Sequence, residues 1–112
     1  MLPKPQRLNL KKDFKWVASG KSLDTKFAKL FLRVGDNTSP RIGIASSSKT
    51  FKKATERNRA RRLVSAAFES LYNKLPPTIN IMVLPKAGVL SVKSGTVLLE
   101  LEGRLKNAKV IS

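Results

Sequence analysis

The sequence predicts an α+β fold, a small two-layer sandwich, and three observations carry that reading. Apolar residues recur at helical spacing in some segments and as short strand-like runs in others, in the order helix, strands, helix, strand, helix. Turn-forming residues fall between those segments and not within them. A length of 112 residues supports one modest core, so residues 1–112 are expected to form a single domain.

The elements follow in chain order. Residues 1–10 carry two prolines and read as an irregular basic N-terminal arm. Lys11 to Ala18 form a short helix, with Phe14, Val17 and Ala18 at helical spacing and Gly20 as its stop. Phe27 to Val34 and Arg41 to Ser46 read as strands, separated by the turn-like Gly35-Asp36-Asn37-Thr38-Ser39-Pro40. The strand count before the central helix is two or three. The longest helix runs from about Thr55 to Leu75 and is stopped by Pro76-Pro77. On it Leu63, Val64, Ala67, Phe68, Leu71 and Leu75 share a stripe roughly 140° wide, opposite Asn58, Arg62 and Ser65. Thr78 to Leu84 (TINIMVL) suits a strand buried on both faces. A last helix spans about Ser94 to Ala108 through Val97, Leu98, Leu101 and Leu105, although Gly95 and Gly103 weaken it.

Composition bounds the function. Twenty-three Lys and Arg against seven acids give a formal net charge of +16. Self-repulsion of that size opposes compact folding, and small domains that carry it bind polyanions, most commonly nucleic acid. With neither Cys nor His, disulfides, Cys/His zinc sites and His-based catalysis are excluded. No apolar run is long enough to span a membrane, and MLPKPQRLNLKK lacks the apolar centre of a signal peptide, so a soluble cytoplasmic protein is expected.

Lys49 to Arg62 reads KTFKKATERNRARR, with seven basic residues and one acid. Cations normally avoid a helix N-terminus, where the macrodipole is already positive. Here Lys52, Lys53, Arg57 and Arg59 crowd it. A local rule broken this way marks function, and a helix start ringed by Arg suits phosphate. The aromatics Phe14, Trp16, Phe27, Phe31, Phe51, Phe68 and Tyr72 are few. Any of them on an open face is a platform for unpaired bases; Phe68 is core by its stripe, whereas Phe14 and Phe31 suit either role. The acids Asp13, Asp24, Asp36, Glu56, Glu69, Glu100 and Glu102 are scattered, with no cluster of the kind that holds two Mg²⁺ ions. No catalytic residue and no protein metal site is expected.

One resemblance fits this pattern. Arg41-Ile42-Gly43-Ile44, then Ser47-Ser48-Lys49-Thr50-Phe51-Lys52-Lys53-Ala54, then Glu56-Arg57-Asn58-Arg59-Ala60-Arg61-Arg62-Leu63 resembles the bacterial ribonuclease P protein component family. That family carries an RNR signature on a long helix, after a strand and a Lys-rich loop, and its opening Leu-x-x-x-x-Asp-Phe segment is echoed by Leu8 to Phe14. The resemblance implies a sandwich like domain 2 of ribosomal protein S5, with a left-handed βαβ crossover. It implies that the RNA subunit of the enzyme holds the catalytic centre and its Mg²⁺, and that the protein, one copy per RNA, binds the single-stranded 5′ leader of precursor tRNA between its first helix and the sheet. By residue, it puts Arg57, Asn58 and Arg59 against RNA, with Arg61 and Arg62 beside them, and the basic block adds Lys49, Lys52 and Lys53 to the expected RNA contacts. It puts Phe14 and Phe31 in the leader cleft. Three positions depart from the family pattern: Ala18 replaces a frequent Phe, Ser48 a frequent Lys, and Ser65 a frequent Arg.

Two other readings share the composition. A ribosomal or other structural RNA-binding protein would copurify with ribosomal subunits and not with a single RNA of a few hundred nucleotides. A basic protein of anionic membranes would need a free apolar helix face, whereas the stripe here is committed to a core.

Overall fold

A computed structural model of the chain describes residues 2–111. After a 3-10 turn at Lys4–Gln6, the elements are α1 (Leu10–Ala18), β1 (Lys21–Asp24), β2 (Ala28–Val34), β3 (Arg41–Ile44), α2 (Ala54–Leu71), β4 (Ile79–Pro85) and α3 (Ser94–Asn107). Further 3-10 turns occupy Tyr72–Lys74 and Ala87–Ser91. The strands form one sheet in the order β1-β2-β4-β3, with β1–β2 and β2–β4 antiparallel and β3–β4 parallel.

Alternation along the strands gives the sheet two different faces. Leu30, Leu32, Ile42, Ile81 and Val83 point to one side and join Val64, Ala67, Phe68 and Leu71 of α2 and Val97, Leu101 and Leu105 of α3 in the main core. Met82 points to the other side, where it meets Leu8 and Val17, with Leu10, Trp16, Ala18 and Phe31 packed around them. Helices α2 and α3 thus form the second layer, and α1 lies across the opposite face. Every residue of β4 except Leu84 is buried, as its apolar run predicts.

The hand of the β3–α2–β4 unit follows from the chirality of one residue. Ile42 turns its side chain to the α2 side and its carbonyl to the Leu8 N–H at 3.0 Å, away from β4. For an L-residue that combination places β4 to the left of β3, viewed from α2 with both strands running upward. The chain crosses leftward through the nearer layer, so the crossover is left-handed, against a norm of about 98% right-handed.

Strand β1 settles the count before α2 at three. Its hairpin to β2 is pinned by the buried Thr25, whose hydroxyl donates to the Ala28 carbonyl at 2.6 Å and accepts the Ala28 N–H at 3.0 Å. The loop from Gly35 to Pro40 is held likewise. The Asn37 amide donates to the Ser39, Pro77 and Ile79 carbonyls, and its oxygen accepts from Asn80 at 2.8 Å.

The arm is less irregular than its prolines suggest. Leu2 and Leu8 are buried, Arg7 pairs with Ile42 in a parallel bridge, and the segment runs along the edge of β3. This corrects the placement of Ser65, expected on the exposed polar face of α2. It is 3% exposed, because the arm closes over that side and leaves a cleft of about 160 Å³ lined by Leu2, Arg7, Arg61 and Ser65 among others.

Gly43 permits this docking. A Cβ there would stand 2.7 Å from Leu10 Cδ2, 2.9 Å from its Cγ and 3.2 Å from Leu8 Cβ. Gly43→Ala is therefore expected to destabilise the chain by about 1–3 kcal/mol through overpacking, read as a lower midpoint in thermal unfolding. An unchanged midpoint would mean that α1 and the arm shift freely on the sheet.

Candidate nucleic-acid interface

The segment from β3 into α2 is an ordered scaffold for the basic block. A turn over Ser48–Thr50 leads to Phe51, whose N–H donates to the Ser47 carbonyl at 2.9 Å and whose ring is buried in the main core. The Lys49 N–H donates to Ser47 Oγ at 3.0 Å. At the helix entrance the carboxylate of Glu56 accepts the Lys53 N–H at 3.3 Å, which caps α2 and occupies the one acid of the block.

On this scaffold Lys49, Lys52, Lys53, Asn58, Arg59 and Arg62 are exposed, while Arg57 and Arg61 are half-buried. Arg57 Nη1 donates to the Phe51 carbonyl at 2.8 Å and the Lys52 carbonyl at 3.3 Å. Arg61 Nη2 reaches Ser46 Oγ at 3.5 Å. Arg59 and Arg62 line an open hollow of about 470 Å³ with Leu63, Ala66 and the first residue of α3, Ser94.

Three other acids are engaged away from the block. Asp24 pairs with Lys86 at 2.6 Å, Glu100 with Arg104 at 3.3 Å, and Glu102 with Lys74 at 2.8 Å and Lys106 at 3.8 Å. The Lys86 hydrogen bond holds the Asp24 carboxyl below its ordinary range, and the Lys74 hydrogen bond does the same for Glu102. These pairs temper the positive charge around β1 and α3. At the start of α2 seven basic residues meet one acid, and the helix macrodipole adds to their charge.

A second surface lies on the α1 side of the sheet. Phe31 is half-buried there against the Leu8, Val17 and Met82 cluster. Two residues earlier on the same face of β2, Lys29 is exposed, with Nζ 5.3 Å from the Phe31 ring centre. Phe14 is 46% exposed, one helical turn from both Leu10 and Ala18, which pack onto that cluster. Both aromatics therefore belong to the α1 side, on separate elements from the basic block. Arg33 fixes the helix: its guanidinium stands 5.0 Å from the Trp16 ring centre and donates to the Trp16 carbonyl at 3.0 Å and to Ser19 Oγ. Sequence reading passed over Lys29, which the two-residue alternation with Phe31 could have shown. The same alternation puts Arg33 on that face, but its partners, Trp16 on α1 and Ser19 at the end of that helix, have no local signal in the sequence.

A basic surface on a left-handed βαβ unit, together with a partly exposed Phe31 on the sheet and an exposed Phe14 on α1, defines an α+β protein built to bind nucleic acid. The family model for ribonuclease P matches residues 2–109. The ribonuclease P protein component of Pseudanabaena sp. (strain PCC 6903) is 36% identical over 109 residues, covering 96% of this chain and 90% of that protein. That of Chromohalobacter salexigens is 31% identical over 103 residues, covering 90% of this chain and 80% of that protein. The RNase P protein from Thermotoga maritima has a similar structure, with a TM-score of 0.78 at 30% identity, covering 90% of this chain and 96% of that one. The chain belongs to the ribonuclease P protein component family. It is a subunit of the endoribonuclease that matures tRNA 5′ ends, a ribonucleoprotein in which its partners are the ribonuclease P RNA and tRNA. Among the described residues no helix is long and apolar enough to cross a membrane.

Proposed function

We propose that this chain acts as a single domain, one copy per RNA subunit, in the cytoplasm, and that it serves cleavage by binding and not by chemistry of its own. In this reading Lys49, Lys52, Lys53, Asn58, Arg59, Arg61 and Arg62, with Arg57 among them, form the surface against the RNA subunit. Phe14 and Phe31 receive the unpaired 5′ leader. The observation that carries the reading is the ordered basic entrance of α2, whose single acid is used in capping the helix.

Mg²⁺ belongs on the RNA in this reading. Among the described residues no three His, Cys, Asp or Glu side chains gather as a donor set. Asp13 and Asp36 share one polar hollow, but Lys12 and Arg41 line it too and repel a cation.

Reconstitution tests the division of labour. The chain freed of RNA should leave precursor tRNA intact across Mg²⁺ concentrations, and adding a bacterial ribonuclease P RNA should give cleavage at the 5′ end of the mature tRNA. Site-specific cutting by the RNA-free chain would sink the proposal.

Salt dependence tests the basic block. If roughly 5 phosphates are neutralised, log K for the RNA subunit should fall against log salt with a slope of about −4. Arg59→Ala and Arg62→Ala should each flatten that slope by about one unit. Unchanged slopes in both variants would mean that these side chains face water in the complex.

A further inference from the structure

We propose that Arg57 is a positioning residue: it acts on RNA through the loop that carries Lys49, Lys52 and Lys53, and not by neutralising a phosphate itself. The inference rests on the reading of that loop as an RNA contact.

The geometry separates Arg57 from its neighbours. Arg59 and Arg62 are exposed, whereas Arg57 is half-buried and its guanidinium Nη1 donates to two backbone carbonyls, Phe51 at 2.8 Å and Lys52 at 3.3 Å. Those carbonyls belong to the last turn before the helix, and Phe51 is itself fastened, 1% exposed in the main core. The guanidinium stays charged at any ordinary pH and donates without accepting, so backbone carbonyls are matched partners for it. Its bonds join the first turn of α2 to the segment preceding it. The Ser47 carbonyl bound by the Phe51 N–H, and Ser47 Oγ bound by the Lys49 N–H, close the other end of the loop. Between these two fastenings the three lysines are exposed. Presenting them on a fixed backbone removes part of the ordering cost that a free loop would meet on binding. The charge of Arg57 at the positive end of α2 is thereby placed against carbonyl oxygens.

The test is a double-mutant cycle on the whole chain binding ribonuclease P RNA, with amide hydrogen exchange on the free protein. The variants are Arg57→Ala, the triple Lys49→Ala/Lys52→Ala/Lys53→Ala, and all four together. Arg57→Met, which keeps the packed stem of the side chain, runs in parallel in case truncation to Ala disturbs the helix. In the native background the loss of Arg57 should weaken binding by about 10-fold, and in the triple background by less than about 2-fold, a coupling expected of residues in one network. Exchange should quicken at Phe51 and Lys52 while Ile81 and Val83 of β4 stay protected. The same fold-loss in both backgrounds, or unchanged exchange in the loop with both Arg57 variants, would overturn the positioning role and return Arg57 to direct contact. A triple variant that binds as tightly as the native chain would instead remove the loop from the RNA interface, and this inference with it.

Discussion

Replacing Phe31 with alanine is expected to weaken the holoenzyme for precursor tRNA with a long leader by roughly 5- to 150-fold, while mature tRNA loses almost nothing. The range is that of stacking an unpaired base on an aromatic ring, about 1–3 kcal/mol by alanine substitution. Phe31 can give that much because its ring is only half-buried on the α1 side of β2. Lys29 Nζ stands 5.3 Å from the ring centre, a cation beside the proposed stacking platform. The main core lies on the other side of the sheet and does not depend on this ring. A part of Phe31 does pack on Leu8, Val17 and Met82, so some loss of stability should accompany the change. Binding measured below the unfolding transition, with leader lengths from none to long, separates the two effects. An equal loss on leadered and leaderless tRNA would show that Phe31 serves only the packing of α1, and the cleft would have to be sought elsewhere.

How much of this could be read from the chain depends on how local each signal is. The stripe on α2 carries its own burial: Val64, Ala67, Phe68 and Leu71 are buried and Leu63 partly so, because a helix packed on one side needs them every three or four residues. The helix stops at Leu71, and Leu75 is buried beyond a 3-10 turn. The apolar run of β4 likewise announced a central strand. Strand β1 was invisible because it has four residues with a single apolar one, Leu23, and its place comes from register with β2. The docking of the arm leaves no local signal for a related reason. Leu2 and Leu8 are separated by two prolines and show no period, and they are buried only because β3 offers an open edge beside α2. That same arm buries Ser65, which helix geometry alone puts on the polar face. The left-handed crossover has no local signature; it came through the family resemblance, and Ile42 shows its physical basis in three dimensions. In the basic block, the types and spacing of residues revealed the charge, but not which side chain is spent on the backbone. Arg57 and Arg59 are indistinguishable in the sequence and differ in use because only one faces the carbonyls of the preceding turn.

Phe51→Ala should show how far that turn depends on its anchor. Phe51 is the lone large apolar residue within Lys49 to Arg62, and its full burial ties the basic loop to the core beneath α2. Truncating a buried Phe costs about 3–5 kcal/mol in lost burial and cavity formation. Against a typical total stability of about 5–15 kcal/mol that is severe, and for a chain of this size the midpoint should drop by roughly 10–20 °C. Phe68→Ala is the control, since Phe68 is equally buried on the core stripe of α2 and should cost a similar amount. The two should part in RNA binding at temperatures where both remain folded. Removing Phe51 unfastens the carbonyls that Arg57 holds, so affinity for the RNA subunit should fall well beyond the loss seen with Phe68→Ala. Equal affinities for the two variants would mean that the loop keeps its shape without its core anchor, and that the basic surface is organised by α2 alone.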